Sequence, residues 1–416
     1  MILDHSRARR MLLAAAAVGL ALRLIFGFSY WVGKPLTHDE HEYLTLARSL
    51  ASGMGFVYDD AHESGTAQRF GRAPGYPLFL AALDAGRPVP SVTPARVKFA
   101  QSLIGAFTVW LIGVITLRAA GPRASLWAAW IAAVYPPLVT LPSYALSETL
   151  YSAVALAAAY TIQVAADAAP SRGRSAQPSR ALRPATLGGA LAGGAALIRP
   201  AMLFYLPIAA VWLLYRRQLS AAVAVAVASI AVITPWTVRN FAVSDRFVLI
   251  ASEGGVTFWT GNHALARGDG DLAANPDLKQ AELQFRRSHP GLSAEALEPM
   301  YYQDALRWIS NHPLDWARLL LYKMFYSVVP AGPSYAVHSA RYRLASVAPY
   351  LLVLPFAVAG VRRLWHSPGQ PTSVWLLAAS SMLVGLVFFP QERFRMPVLD
   401  PVLIVSAAAL AGRSES

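Results

Sequence analysis

The sequence contains no cysteine. Disulfides, thiolate metal sites and cysteine nucleophiles are therefore excluded, and the redox compartment is left open. Charge is scarce as well: 14% of the 416 residues are charged, and Asp plus Glu number 23 against 36 Lys plus Arg. A chain that is 55% hydrophobic is too apolar for an ordinary soluble globule, and its apolar runs recur at the length that crosses a bilayer. A formal charge of +13 would point to nucleic acid in a soluble protein. Here the arginines cluster beside apolar runs, as charges that orient membrane helices do, and nucleic-acid binding is set aside. No internal repeat is visible.

The spans and their flanks predict an all-α polytopic membrane protein with about ten to twelve transmembrane helices, organised as one integral membrane domain over 1–416. Residues 11–31 follow Arg7, Arg9 and Arg10 and read as an uncleaved anchor with its amino terminus inside. Further spans read near 96–117, 124–141, 146–166, 185–198, 202–215, 219–238, 347–361, 374–389 and 397–410. Arg118/Arg123, the 168–184 stretch, Arg216/Arg217, Arg362/Arg363 and Arg413 lie between or after them on the inside. Segments 74–83 and 316–329 resist assignment: the first is short, and the second carries Arg318 and Lys323, so both read as re-entrant or surface helices. The 168–184 stretch, rich in Pro, Ser and Arg, reads as a cytoplasmic linker. The two large hydrophilic segments, 34–94 and 239–315, both fall outside, which is where chemistry is expected. Within the second, 300–311 is the best candidate surface helix.

Thr37-His38-Asp39-Glu40-His41-Glu42-Tyr43 is the most telling segment. It crowds acids at the exit of the first span, beside an aromatic belt of Phe28, Tyr30 and Trp31, where carboxylates are costly unless used. Asp39, Tyr43, Leu46 and Leu50 follow helical spacing, and Gly53 and Gly55 end it. An acid in a first helical turn is also a common cap, so of Asp39 and Glu40 one can cap while the other does chemistry. Arg72-Ala73-Pro74-Gly75-Tyr76-Pro77 then sets a cation ahead of a proline-stiffened turn, a means of presenting a guanidinium to an anionic headgroup.

These motifs, in order with Ser147-Glu148-Thr149-Leu150-Tyr151, Ile198-Arg199-Pro200, Pro235-Trp236-Thr237-Val238-Arg239-Asn240, Gly261-Asn262 and Glu392-Arg393-Phe394-Arg395-Met396-Pro397, give the chain a family resemblance. It resembles the bacterial branch of the polyprenyl-phosphate-dependent glycosyltransferases. These are GT-C membrane enzymes related to protein O-mannosyltransferases and lipid A aminoarabinose transferases, grouped as glycosyltransferase family 39. The resemblance implies a GT-C fold and a sugar donor on a polyprenyl phosphate. It implies a catalytic base at Asp39 supported by Glu40, and a donor-phosphate contact at Arg72. The aminoarabinose-transferase branch has an acid before that cation which helps to hold a metal; here the position is Gly71, so no metal site is expected.

Further candidates follow from position. Arg199 and Arg239 lie at outside helix ends, where a guanidinium either snorkels or meets phosphate. Arg393 and Arg395 fall in a short outside loop, against the positive-inside tendency, which favours an anionic ligand. Tyr43, Tyr76, Glu148 and Asn262 are candidates for sugar or acceptor binding. His38, His41 and His263 lack the tight spacing of metal ligands, and a divalent cation is not supported.

Transfer from a lipid phosphate sugar needs a base near the acceptor hydroxyl and cations to stabilise the departing phosphate. With one essential carboxylate, direct displacement with inversion is the simplest scheme. The expected function is thus sugar transfer to a glycolipid, polysaccharide or protein hydroxyl on the outer face of a bacterial inner membrane. The rival is a lipid-linked sugar transporter or flippase. Transporters place ionisable groups near the bilayer midplane and often carry repeats, whereas here the acids lie in loops.

Overall fold

The computed structural model describes residues 5–57, 71–85, 90–168 and 178–412, in which the chain is helical with one isolated bridge, between Pro35 and Val92. The first six helices are α1 (His5–Ile25), α2 (His38–Ala51), α3 (Gly75–Ala82), α4 (Ala95–Val134), α5 (Pro136–Thr140) and α6 (Glu148–Asp167). Then come α7 (Pro178–Ile198), α8 (Met202–Tyr215), α9 (Leu219–Ser244), α10 (Gly254–Gly261), α11 (Pro276–Arg287) and α12 (Ala294–Asn311). The last are α13 (Pro313–Val328), α14 (Ala340–Leu364), α15 (Thr372–Val387), α16 (Glu392–Arg395) and α17 (Leu399–Ala408).

Among the described residues six helices are long and apolar enough to cross a membrane, namely α1, α4, α6, α7, α9 and α14, with shorter apolar helices at α8, α15 and α17. The expected all-α polytopic fold is therefore what the chain adopts. α4 is a hairpin rather than one rod. Gly121 has a φ of 84°, a backbone open to glycine, and Pro122 follows, so the chain reverses there. The limbs touch: the Ser125 hydroxyl donates to the Gly113 carbonyl at 2.7 Å. The spans expected at 96–117 and 124–141 are these two limbs.

Small residues let the spans approach closely. A Cβ on Gly189 of α7 would lie 2.4 Å from the Val225 carbonyl oxygen of α9, and one on Gly193 2.8 Å from that of Ser229. Larger side chains there would push the two helices apart. Leu13, Val227, Ile230, Leu352 and Phe356 instead face outward, a surface suited to hydrocarbon.

The expected boundaries shift in four places. α9 continues past Arg239 to Ser244, and α14 begins at Ala340. The 239–315 segment is largely helical: α10, α11 and α12 enclose a small core of Trp259, Leu278, Leu297, Tyr301 and Ala305. Residues 178–184 of the expected linker belong to α7, while 169–177, like Arg413, lie outside the described residues.

The bundle has two unlike ends. At the end expected inside, Arg118 pairs with Asp167 at 3.0 Å, Gln218 donates to the Ala166 carbonyl at 2.6 Å, and Arg363 donates to the Leu410 carbonyl at 2.9 Å. At the opposite end α2, α3, α16 and the first turns of α6 and α10 converge.

Candidate active site

α2 begins on a reciprocal cap. The Thr37 hydroxyl accepts from the Glu40 amide at 3.4 Å, and the Glu40 carboxylate accepts from the Thr37 amide at 2.9 Å. The second Glu40 oxygen accepts from the Thr93 hydroxyl at 2.8 Å and from the Ala145 amide at 2.7 Å. Glu40 is 1% exposed. Both oxygens are committed to joining α2 to the segments ahead of α4 and α6, which makes Glu40 a structural tie beside Asp39.

Asp39, freed from capping, faces two cations. Its Oδ1 accepts from Arg72 Nη2 at 2.8 Å, and its Oδ2 lies 2.5 Å from Arg393 Nη2. Glu42, three residues on and so on the same helix face, accepts from Arg72 Nε at 2.9 Å. Its other oxygen lies 3.3 Å from His38 Nε2. Glu253, at the start of α10, approaches Arg72 Nε at 3.3 Å. On the other side Arg199 Nη1 lies 2.8 Å from Glu148 Oε1, and Arg393 Nε lies 4.0 Å from the same oxygen.

Among the described residues three guanidiniums and four carboxylates thus meet in one recess. Aromatic rings orient the cations: Tyr43 lies 5.2 Å from the Arg72 guanidinium, and Phe394 lies 5.0 Å from that of Arg199 and 5.5 Å from that of Arg393. Arg199 Nη1, Arg393 Nε and Glu148 Oε2 are shut from solvent without a well-formed hydrogen bond. Arg199 Nη1 nevertheless lies within ion-pair distance of Glu148 Oε1, so charge there is balanced by proximity more than by aligned hydrogen bonds.

Of the expected site residues, Asp39, Arg72, Glu148, Arg199 and Arg393 come together; Arg395, Arg239 and Asn262 lie elsewhere, and Tyr43 and Tyr76 pack beneath Arg72. Arg395 turns to the opposite side, 2.9 Å from Asp400, with its guanidinium 3.9 Å from the Tyr350 ring centroid. Arg239 stacks on Trp236 at 4.7 Å and donates to the Phe56 carbonyl. Asn262 is 1% exposed, its amide nitrogen donating to the Phe258 and Val387 carbonyls and its oxygen accepting from Trp316 and Lys323. No polar atom of Asn262 is left for sugar. Tyr76 is fully buried, its ring edge-to-face with Tyr43 at 4.9 Å and its hydroxyl donating to Gln101. Tyr43 is 8% exposed and its hydroxyl donates to Ser147 at 3.4 Å, so both tyrosines pack beneath Arg72.

Glu42 and Glu253 were not among the expected site residues. Helical spacing from Asp39 signals Glu42. Glu253 carries no local signal, because only the fold brings it to Arg72.

Two of the three acids on Arg72 differ chemically. Burial raises the Asp39 carboxyl, but the Arg72 and Arg393 guanidiniums outweigh it and hold the group well below the usual carboxylate range. At Glu253 burial dominates and pushes the carboxyl up to about 7, with Arg72 pulling down and Glu42 and Asp39 pushing up. Asp39 is thus held in its charged form, whereas the Glu253 carboxyl is raised.

No protein-family model matches this chain, and no curated protein matches it. Solved structures do. The archaeal oligosaccharyltransferase AglB from Archaeoglobus fulgidus, in complex with an inhibitory peptide and a dolichol-phosphate, is 16% identical; the match covers 97% of this chain and 50% of AglB, with a TM-score of 0.59. The Archaeoglobus fulgidus oligosaccharyltransferase tethered to an acceptor peptide containing the NVT sequon is 14% identical over 98% of this chain and 49% of that one, with a TM-score of 0.61. ArnT from Cupriavidus metallidurans bound to undecaprenyl phosphate is 13% identical over 95% of this chain and 77% of ArnT, at a TM-score of 0.43. This chain spans about half the length of the oligosaccharyltransferases it matches, and its fold is the GT-C fold expected from the sequence.

Proposed function

We propose that the chain is a membrane glycosyltransferase that moves a sugar from a polyprenyl phosphate to an acceptor hydroxyl at the outer face of a bacterial inner membrane. The observation that carries this reading is the recess itself, where three guanidiniums and four carboxylates meet at one end of an apolar bundle. A fold shared with proteins solved with dolichol-phosphate and with acceptor peptide supports it.

In this reading Arg393 and Arg199, whose donors are incompletely paired, take the donor phosphate and stabilise the charge it gains as the glycosidic bond breaks. Arg72 is enclosed by Asp39, Glu42 and Glu253, so it chiefly fixes the acids in place and reaches phosphate only when one of them moves aside. A carboxylate in the recess accepts the acceptor proton, the role that the family resemblance gives to Asp39. Direct attack on the face opposite the phosphate inverts the anomeric centre. The acceptor is a glycolipid, a polysaccharide or a protein side chain entering past α10 and α12.

Among the described residues no group of three His, Asp or Glu converges as ligands, and the carboxylates of the recess face guanidiniums instead. No step is assigned to a metal.

The test is transfer of radiolabelled sugar from a panel of polyprenyl phosphate sugars to membrane acceptors by the purified protein. Transfer with inverted configuration is expected. Retained configuration would refute the single displacement, and donor movement across vesicles without transfer would make the protein a flippase.

A further inference from the structure

Two polar side chains buried near the recess, Asn262 and Lys323, take no part in the reaction described above, and both act on the end of α15. The last carbonyls of a helix have no partner within it. Here the Val387 carbonyl accepts from Asn262 Nδ2 at 2.9 Å, and the Leu386 carbonyl accepts from Lys323 Nζ at 3.2 Å. The two side chains also hold each other: Lys323 donates to Asn262 Oδ1 at 3.0 Å, and Trp316 donates to the same oxygen at 3.1 Å. Lys323 is fully buried, and a cation at a helix C-terminus complements the partial negative charge gathered there. Side chains that follow α10 or belong to α13 thus clamp the C-terminus of α15.

Four residues, Phe388 to Gln391, separate that clamp from α16. The Phe388 ring lies edge-to-face with Phe204 at 6.1 Å and with Phe258 at 6.2 Å. The Phe389 ring fills a notch left by Gly270, where a Cβ would overlap it, and stacks on Phe394 at 6.0 Å with 26° between the planes. Phe394 is the ring that lies 5.0 Å from the Arg199 guanidinium and 5.5 Å from that of Arg393. A continuous series of contacts therefore leads from α13 to the two cations assigned to the donor phosphate.

We propose that Phe389 is a positioning residue for Arg199 and Arg393: seated between the Asn262–Lys323 clamp and the Gly270 notch, it fixes the Phe394 ring that orients both guanidiniums toward the donor phosphate. The assignment rests on the glycosyl-transfer reading above. An arginine loses rotamer freedom when it grips an anion, and a ring that restricts it beforehand lowers that cost. Phe389 acts on the phosphate only through Phe394 and the guanidiniums, so its influence disappears once Phe394 no longer carries a ring.

The experiment measures binding of tritiated polyprenyl phosphate, carrying no sugar, to the full-length protein in detergent. Wild type, Phe389→Leu, Gly270→Ala, Phe394→Leu and the Phe389→Leu/Phe394→Leu double variant are compared, each as the folded fraction isolated by size exclusion. Phe389→Leu is expected to weaken binding about 3–10-fold, the scale of one lost aromatic pair. Gly270→Ala, which pushes the same ring from the other side, weakens binding in the same direction. In the Phe394→Leu background the Phe389→Leu change should add less than about twofold, because the two rings act in series. An equal loss in both backgrounds overturns the assignment, as does a Phe389→Leu protein that binds like wild type. Sugar transfer by wild type is measured alongside. Binding that shows the coupling without transfer from any donor keeps Phe389 as a positioning residue for a lipid phosphate and overturns the glycosyltransferase reading. A wild-type protein that binds no polyprenyl phosphate overturns both.

Discussion

Arg393 and Arg395 stand two residues apart on the same short helix and live in opposite worlds. Arg393 is 34% exposed, shares Asp39 with Arg72, and keeps a buried Nε without a proper acceptor. Arg395 is 7% exposed, sealed against Asp400, with Tyr350 across its face and the Ser346 carbonyl accepting at 3.3 Å. Residues two apart on a helix do not face the same way, so α16 divides its cations between the recess and the interior. The difference separates a charge at the accessible side from a charge enclosed by protein: Arg393 is partly exposed and Arg395 is sealed.

The largest effect is expected on the interior side. Asp400 is 1% exposed and also accepts from the Tyr135 hydroxyl at 3.1 Å, so Asp400→Ala strands a buried guanidinium and a buried hydroxyl. Loss of one partner of a buried pair costs about 3–5 kcal/mol, read as a large drop in thermal stability of the detergent-solubilised protein. Replacing Arg395 and Asp400 together by leucine should recover much of that loss. A double variant no more stable than Asp400→Ala would show that the pair does more than neutralise itself.

On the recess side the signature reverses. Arg393→Gln should lower transfer about 10²–10³-fold, the usual consequence of losing one preorganised donor to a developing anion. Its effect on stability should stay below about 1 kcal/mol, because a partly exposed ion pair contributes little to folding. Parallel activity and unfolding measurements test the contrast. It collapses if Arg393→Gln unfolds the protein as Asp400→Ala does.

The sequence made one side of this contrast readable. Thr37 with Glu40 three residues later marks a helix start, and the spacing that follows it places Asp39 and Glu42 on one face. Arg72 was legible as a cation set before a stiff turn. Arg395 was not, since whether a loop arginine points to a ligand or to Asp400 depends on how α14 and α17 close around it. Nor was Glu253, which only the fold brings to Arg72. Asn262, expected as a sugar or acceptor contact, shows the same dependence: the fold surrounds its carboxamide with Phe258, Val387, Trp316 and Lys323. Local spacing declares caps, turns and helix faces, whereas long-range contacts decide which polar groups remain free.

Glu40 sharpens the same distinction beside Asp39. Glu40→Gln keeps the shape but weakens acceptance from the Thr37 and Ala145 amides and the Thr93 hydroxyl. A cost of about 1–3 kcal/mol is expected. Transfer should fall only in proportion to the folded fraction, with an unchanged pH profile, and a change in that profile would return Glu40 to the chemistry.

A further effect concerns Glu392, the residue before Arg393, which lies on the interior side. It is 5% exposed, and neither carboxylate oxygen has a hydrogen-bond partner among the described residues. Burial pushes its carboxyl up to about 7; Arg395 pulls it down, while Asp400 and Asp269 push it up. The folded protein therefore keeps a proton that the unfolded chain releases at about pH 4.3, the ordinary glutamate value. As pH rises between those two values the unfolded state sheds its proton first, so folding stability falls across that window and levels off above it. Glu392→Gln carries no such proton. It should match the wild-type protein near the lower limit of the window and exceed it above the upper one, in thermal unfolding followed across pH. Arg393 should be insensitive to the change if α16 keeps its two sides independent. A loss of transfer in Glu392→Gln with stability preserved would mean that the interior and the recess are coupled through that one turn of helix.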